Sequence, residues 1–379
     1  MPHTVYCPTK LIFSDDAAAD LARELGVLGA GPVMVITDAG ILATGILDRL
    51  MPALATGGRA VAIFGDVPGN PGVTTVTAAL AAARAAGVTA LVALGGGSAI
   101  DVAKAVSVLL THPGVTWEDL QAGRAALKRP GVPLIAAPTT AGTGSEVSHV
   151  AVIGATDGFK KGVVHAALFP AVAIVDDGLA LSLPPKLTAA TGMDALVHAI
   201  EAYLGRRANP SMDLLALGAL RAIVRSLPVA VTDGANLAAR RELAQAAAWA
   251  GMAMDQAGLG LCHALCGPLS AHHDVHHGLG NAVLLPAVSA FNASAISAER
   301  WSALRHALGL PIEAVPAWLA PWARAFVEQL GLPARLGELG LDGSTFPAIA
   351  AEAIRMAMIG NNVRPAGAAE CLVVLQAAL

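Results

Sequence analysis

Charge is scarce in this sequence. Lys, Arg, Asp and Glu make up 14% of 379 residues and leave a net charge of −4. No basic run stands in the chain, so nothing in it points to nucleic acid or an anionic membrane surface. Cysteine is scarcer still. Cys7, Cys262, Cys266 and Cys371 are too few and too scattered for a disulfide framework at this length, and free thiols in a reducing cytosol are expected. Long apolar runs are missing too, although hydrophobic residues reach 55%. No stretch attains the roughly 18 uninterrupted apolar residues of a spanning helix. The richest, 243–254, is alanine-heavy and stops at Asp255; the segment 132–144 is broken by Pro133, Pro138, three threonines and two glycines. The first residues lack a basic head followed by an apolar run, so no secretion signal is expected and a cytoplasmic location is. The apolar excess is better read as core plus buried subunit contacts, hence a homodimer or larger homo-oligomer.

The chain is long enough for two domains. In the first half, short β-branched runs at 33–37, 60–64, 90–94, 134–137 and 172–175 read as buried strands, with helical spacing at 74–86 and 98–110. Alternating strand and helix implies a mostly parallel sheet covered on both faces. After Pro184-Pro185 the pattern becomes helical, at 187–204, 212–227, 238–255 and 348–358. The expected fold is therefore an α/β domain over 1–180 followed by an all-helical domain over 181–379, with the ligand site in a cleft between the halves.

Two loops and one cluster carry the chemistry. Gly95-Gly96-Gly97-Ser98 lies between a strand and a helix, with Ser98 placed to cap the helix and Asp101 to support the cap. Such a turn suits a phosphate at the helix N-terminus, or simply a tight connection. It is not the usual GxGxxG, and it lies mid-domain. The second loop, 138–148, offers hydroxyls and glycines suited to ribose and amide groups, or is a plain surface loop. Asp194 and His198 are four apart on one otherwise apolar helical face, either as a buried Asp–His pair or as cation ligands. His263, His272, His273, His276 and His277 crowd 263–277. One carboxylate and several imidazoles suit iron, zinc, cobalt or nickel. Cys262 and Cys266 have helical spacing and read either as ligands or as small buried residues. His3, His112, His165 and His306 stand alone.

Three of these segments together resemble the iron-containing (group III) alcohol dehydrogenases. The resemblance runs end to end: Tyr6-Cys-Pro-Thr-Lys-Leu-Ile-Phe13, Gly65-Asp-Val-Pro-Gly-Asn70-Pro71, 95–104, 138–147, 183–194, His198-Ala-Ile-Glu-Ala-Tyr203, His277-Gly-Leu-Gly-Asn-Ala282 and Asn362-Val-Arg-Pro365. It implies an architecture shared with dehydroquinate synthase and one divalent metal, Fe2+ first and Zn2+ as the alternative, on Asp194, His198, His263 and His277. It places the pyrophosphate on Gly95, Gly96, Gly97 and Ser98, and the rest of the cofactor near Thr139, Thr140 and Thr143. Asn70, Asp101, Ser145 and Lys161 join the cofactor set. Asp38 matches the acidic residue that faces the ribose 2′-hydroxyl, which favours NAD(H) over NADP(H). Val150, Met254, Leu259, Gly267 and Met358 would line an apolar pocket for a small or medium alcohol or aldehyde.

Several positions depart from the family pattern. Gly267 stands where many relatives have a histidine near the nicotinamide, so proton transfer falls to His273, His149 or water. Ser14-Asp15-Asp16 replaces the usual small-residue turn, His276 the proline before the last metal histidine, and Met358 a pocket cysteine. A dehydroquinate synthase-like lyase would need several basic residues around the ligands, where few stand. A maleylacetate reductase is a nearer alternative, disfavoured by the complete ligand set. The expected activity is hydride transfer between a simple alcohol or aldehyde and nicotinamide, with the ion polarising the substrate oxygen.

Overall fold

The computed structural model describes residues 3–29, 31–155 and 160–379, with Lys160 and Lys161 described by backbone alone. Among the described residues eight strands occur: β1 (Lys10–Ser14), β2 (Val33–Ile36), β3 (Val61–Phe64), β4 (Ala90–Gly95), β5 (Leu134–Pro138), β6 (Val150–Gly154), β7 (Lys160–Val164) and β8 (Val172–Asp176). Six helices accompany them: α1 (Ala17–Leu28), α2 (Ala39–Ala43), α3 (Ile46–Leu54), α4 (Val73–Ala85), α5 (Gly97–Thr111) and α6 (Trp117–Gln121). The six-stranded sheet has the order β1-β8-β5-β4-β2-β3 and every pair in it is parallel.

Period-two alternation explains why the inner strands are apolar throughout. Met34, Ile36, Leu91, Ala93, Leu134 and Ala136 face one core with α4 and α5, which supply Val76, Ala79, Ile100 and Val106. Val33, Val35, Val92, Leu94, Ile135 and Ala137 face the other, with Leu21 and Leu25 of α1 and Ile46 and Leu50 of α3. The five strands expected from sequence all form, within one residue at each end. β1 and the antiparallel hairpin β6–β7 add to them. The chain leaves β2 outward to β3, then returns to the other side of β2 with β4. The sheet thus reverses its winding between β2 and β4, the position where α/β sheets hold ligands beyond the strand ends.

Among the described residues nine α-helices follow: α7 (Pro185–Leu204), α8 (Pro210–Thr232), α9 (Leu237–Ala257), α10 (Leu261–His273), α11 (His277–Asn292), α12 (Ala298–Ala307), α13 (Leu319–Gln329), α14 (Phe346–Ala353) and α15 (Ala368–Ala378). Among the described residues no strand lies beyond β8. Two compact units result. One is Cys7–Thr140 with Gly144–Ser182; the other is Leu183–Leu379 with Ala141–Thr143 and the residues up to Tyr6.

α7 starts on Pro185, whose fixed φ suits a first helical position. From Thr188 onward it is buried on all sides, packing against α8, α9 and α11. Such a helix has no polar face to give to solvent, so each polar side chain on it must find a partner inside. Among the described residues α8 is long and apolar enough to cross a membrane by length and composition, which the test for uninterrupted runs passed over. Met212, Ala216, Leu220, Ile223 and Leu227 of α8 lie in the helical core. The expected helix at 348–358 is corrected: α14 ends at Ala353, Met356 takes an extended ψ of 127°, and a 3-10 turn covers Ala357–Asn361. Tertiary hydrogen bonds outweigh alanine's helical preference there. Asn361 Nδ2 donates to the carbonyls of Ala257 (3.0 Å) and Leu259 (2.9 Å), and its Oδ1 accepts from Arg207 N–H (2.9 Å).

Candidate metal centre and nucleotide-binding loops

On α7, Asp194, His198 and Glu201 follow at i, i+4 and i+7, so all three share one face. α10 contributes His263 from its first turn, and α11 contributes His277 as its first residue. Glycine permits the approach. A Cβ on Gly278 would lie 2.2 Å from Ala190 O and 3.3 Å from Asp194 Cβ, so α11 enters against the backbone of α7. Ligand atoms of Asp194, His263 and His277 come within 4.8 Å of one another. Asp194 Oδ1 is 3.5 Å from His263 Nε2 and 3.8 Å from His277 Nε2, and Asp194 Oδ2 is 3.8 Å from His198 Nε2. His198 stacks on His263 with centroids 4.7 Å apart. Asp194, His198 and His263 are buried; the His277 side chain is 43% exposed, leaving one open side.

The donor chemistry of this cluster is that of a cation site. The amide nitrogen of Asn281 lies 2.7 Å from Asp194 Oδ1, 3.0 Å from His263 Nε2 and 3.3 Å from His277 Nε2. Three acceptor-capable atoms therefore converge on one buried donor. A further buried polar atom, Asn281 Oδ1, lacks a hydrogen-bond partner among the described residues, and His198 meets the Gly142 backbone. Burial raises the Asp194 carboxyl, but His198, His277 and His263 outweigh it and keep the group ionised, well below the ordinary carboxylate range. Burial depresses His198 to about 4, with Asp194 opposing. Burial also lowers His263, but Glu201 and Asp194 outweigh it and push the ring up to about 9. One carboxylate with three imidazoles fits a borderline divalent ion.

The thiols lie behind this cluster. Cys266 Sγ donates to His277 O at 3.1 Å and sits 3.4 Å from His277 Nδ1; Cys262 Sγ donates to Asn281 O at 3.4 Å. Burial pushes the Cys262 thiol well above its ordinary range, and both thiols lie in the helical core. All four cysteines are free.

In the α/β unit, Asp38 closes β2 and Gly95 closes β4, on either side of the reversal in winding. Asp38 caps α2 by accepting from Ile41 N–H at 2.9 Å. A Cβ on Gly95, at φ +156°, would lie 2.9 Å from Ala99 Cβ and 3.3 Å from Asp38 Oδ2. Glycine is thus needed both for helix-on-strand packing and beside that carboxylate. Ser98 does not cap the helix as expected. The cap position is Gly96, with no side-chain bond, and Ser98 Oγ donates instead to Gly69 O at 2.8 Å. The helix begins two residues earlier than the hydroxyl would require, which leaves its first N–H groups without a side-chain cap.

Asp101 is no cap partner either. It accepts from Ser145 Oγ and from Val152 N–H (2.9 Å), and burial raises its carboxyl against the pull of Lys104. Lys104, wholly buried, donates to Ser145 Oγ (3.1 Å), Ser148 Oγ (3.1 Å) and Val150 O (2.8 Å). Asp101, Ser145 and Val150 thus form a brace between α5 and the second loop. Thr139 N–H donates to Gly95 O at 3.0 Å, and Thr140 Cγ2 would touch a Cβ on Gly96 at 3.4 Å. Asn70 is exposed next to Gly69. Thr143 belongs to the helical unit, following Gly142, whose Cβ would strike Thr191 at 2.7 Å. The Lys161 side chain lies outside the described residues.

Residues 8–177 match the family model for iron-containing alcohol dehydrogenase, and residues 188–379 match that for the C-terminal part of the Fe-containing alcohol dehydrogenase family. The chain belongs to the iron-containing alcohol dehydrogenase family. It is 38% identical over 371 residues to the probable alcohol dehydrogenase EutG of Escherichia coli, covering 96% of this chain and 91% of that one. Among solved structures it resembles a 1,3-propanediol oxidoreductase, with TM-score 0.94, 34% identity and full coverage of both chains. A sulfoacetaldehyde reductase from Bifidobacterium kashiwanohense, solved in complex with NAD+, gives TM-score 0.91 at 28% identity, covering 100% of this chain and 99% of that one. The activity of this iron-type dehydrogenase is accordingly metal-dependent, nicotinamide-linked alcohol oxidoreduction.

The other histidines and pocket residues expected in this alcohol dehydrogenase's site have the following surroundings. His273 sits ten residues beyond His263 on the same helix, about 15 Å along its axis. Its Nε2 is 2.7 Å from Thr345 Oγ1. The structure does not bring His273 to the metal cluster, so it gives no support to a proton route there. His149 stacks on Phe169 at 5.2 Å. Met254, Leu259 and Met358 are half-buried. His112 is a core residue held by Val108 O and Lys128 N–H; His3 and His306 are exposed. His165 caps a 3-10 turn, accepting from Ala167 N–H at 3.1 Å.

Gly267 lies one turn beyond His263, facing Met356, whose methyl would stand 3.2 Å from an added Cβ. That methyl ends a flexible side chain and gives way cheaply. Gly267→His is therefore expected to fold and to keep its metal. Where water now carries the alcohol proton, the substitution should raise kcat near neutral pH. Steady-state rates with a short and a long alcohol check this; loss confined to the long one would mean that Gly267 makes room for substrate. Sequence reading did not single out Glu201 or Asn281 at the site, although the i+7 spacing from Asp194 already put Glu201 on the ligand face, and its reading of Cys262 and Cys266 as small buried residues agrees with their burial.

Proposed function

We propose that the chain interconverts a small or medium apolar alcohol and its aldehyde, using NAD(H) in preference to NADP(H). One divalent ion, Fe2+ with Zn2+ as the alternative, is held by Asp194, His198, His263 and His277. The convergence of Asp194 Oδ1, His263 Nε2 and His277 Nε2 on a single buried donor supports this most strongly. Bound there, such an ion supplies Lewis acidity toward a substrate oxygen. Asp194 offsets its charge, the imidazoles hold it, and the exposed side of His277 leaves the approach open. Residues 1–180 bind the cofactor, its phosphates on Gly95, Gly96, Gly97 and Ser98 with Asn70 alongside, and Thr139, Thr140, Thr143 and Lys161 take the remainder. Asp101 and Ser145 position that loop. Residues 181–379 carry the metal, and Val150, Met254, Leu259, Gly267 and Met358 select an alkyl chain. The enzyme works in the cytoplasm as a homo-oligomer, without nucleic acid or membrane as partner. An alcohol and aldehyde panel, run with both cofactors on Fe2+- and Zn2+-loaded protein, tests this reading. Absence of nicotinamide turnover with every substrate would overturn it.

Asp38 carries the cofactor preference, since a carboxylate beside the glycine turn repels a 2′-phosphate. Asp38→Gly is expected to shift the NAD/NADP ratio of kcat/KM toward NADP by at least about tenfold, or 1.4 kcal/mol. Glycine replaces a cap residue at a cost of only a few tenths of a kcal/mol, so folding is spared. Equal efficiency of the wild type with both cofactors would remove the role.

A further inference from the structure

We propose that Glu201 is the positioning residue of the metal centre, fixing the proton of His263 on Nδ1 and so aiming its Nε2 at the ion. The proposal rests on the reading that His263 is a ligand. Glu201 is buried on α7, one face with Asp194 and His198, and its two oxygens meet three hydrogens. Oε1 accepts from Cys262 N–H at 2.6 Å, and Oε2 from Gly260 N–H at 2.9 Å. His263 Nδ1 lies 2.7 Å from Oε2. The backbone groups can only donate, so both oxygens must act as acceptors. A neutral imidazole facing that carboxylate then carries its hydrogen on Nδ1 and its lone pair on Nε2. On the opposite side of the ring, Nε2 looks toward Asp194 Oδ1.

The other two imidazoles are held differently. His277 Nδ1 meets the Cys266 thiol, and His198 meets the uncharged Gly142 backbone. His263 is thus the ligand whose outer nitrogen rests on a charged acceptor, which orients the ring and raises its basicity toward a metal. The same carboxylate anchors the start of α10, whose own cap residue, Gly260, supplies no side chain. A purely structural cap is therefore the competing role, and the two separate cleanly by experiment.

Glu201→Gln keeps the shape but turns an amide NH2 toward one of the three donors. In the Zn2+-loaded full-length wild type, 15N-histidine spectra should show a hydrogen-bonded, slowly exchanging proton on His263 Nδ1. Glu201→Gln should lose that proton and raise the Zn2+ dissociation constant 10- to 100-fold, on the order seen when such outer partners are removed. Zn2+ competition with a chelating dye reads the constant, and Glu201→Asp should recover part of the affinity. Zn2+ affinity within twofold of wild type in Glu201→Gln, even at reduced thermal stability, would leave only the cap and overturn the proposal. So would a wild type without a proton on Nδ1, a result that decides alone should Glu201→Gln fail to fold. His263→Ala is the control: wild-type Zn2+ affinity in it would show instead that the ligand assignment is at fault.

Discussion

Asp194→Ala should emerge from purification without its divalent ion and with alcohol oxidation near background. The carboxylate is the single anion among the four proposed ligands, and three imidazoles together keep it ionised in a buried place. Its removal leaves the Asn281 amide without its shortest acceptor, so the residual cluster has lost both charge and geometry. A Lewis acid worth several kcal/mol at the transition state is then missing. At about 1.36 kcal/mol per tenfold, kcat/KM should fall by at least about 10³-fold. Elemental analysis beside steady-state kinetics checks this, with His263→Ala expected to behave alike. Full metal occupancy in both variants would place the ion elsewhere.

Gly278→Ala should damage fold and site together. The added carbon would stand 2.2 Å from Ala190 O and 2.8 Å from Ala190 C, both backbone atoms in the middle of α7. Neither can turn aside, and an ordinary carbon–oxygen contact needs about 3.3 Å, so α11 must withdraw by about 1 Å. Overpacking of this kind costs about 1–3 kcal/mol, and the withdrawal carries His277 away from Asp194. The expected result is a Tm lower by several degrees together with at least about tenfold weaker Zn2+ binding. Gly218→Ala supplies the contrast. Its nearest neighbour would be Trp249 at 3.8 Å, ordinary contact inside a helix. Alanine there gains roughly 1 kcal/mol of helix preference, so Tm should rise and metal binding should not change. Equal behaviour of the two variants would show that the close approach at Gly278 does not hold the site.

How far these features can be read from sequence depends on whether they are local. The inner strands are legible because burial on both faces forces unbroken apolar runs, and α7 is legible from its length and its spacing of Asp194 and His198. β1 at the sheet edge is only partly buried, and its pattern is correspondingly weak. The hairpin β6–β7 is short, and β7 opens on Lys160-Lys161-Gly162, so it lacks the unbroken apolar run of the inner strands. The end of α14 and the cap of α10 depend on contacts between segments remote in sequence, Asn361 with Ala257 and Leu259, and Glu201 with Gly260 and Cys262. The placement of Ser98 failed for a related reason: a hydroxyl at a helix start is a good local cap, and the Gly69 carbonyl that takes it instead arrives from another segment. His273 shows the limit of counting histidines, because one continuous helix separates it from the ligand it seemed to accompany in sequence.

The pairing of β1 with β8 has a bearing on how the chain is made. Lys10 pairs with Val172, so among the described residues β1 takes its one sheet neighbour roughly 160 residues later in synthesis. At about 5–20 residues per second, that strand waits on the order of 8–30 s. Through that interval Phe13, still 42% exposed in the finished fold, and its neighbours have no partner strand. The vulnerable period in biosynthesis is therefore the wait for the close of the α/β unit, before the helices that carry the metal site have left the ribosome.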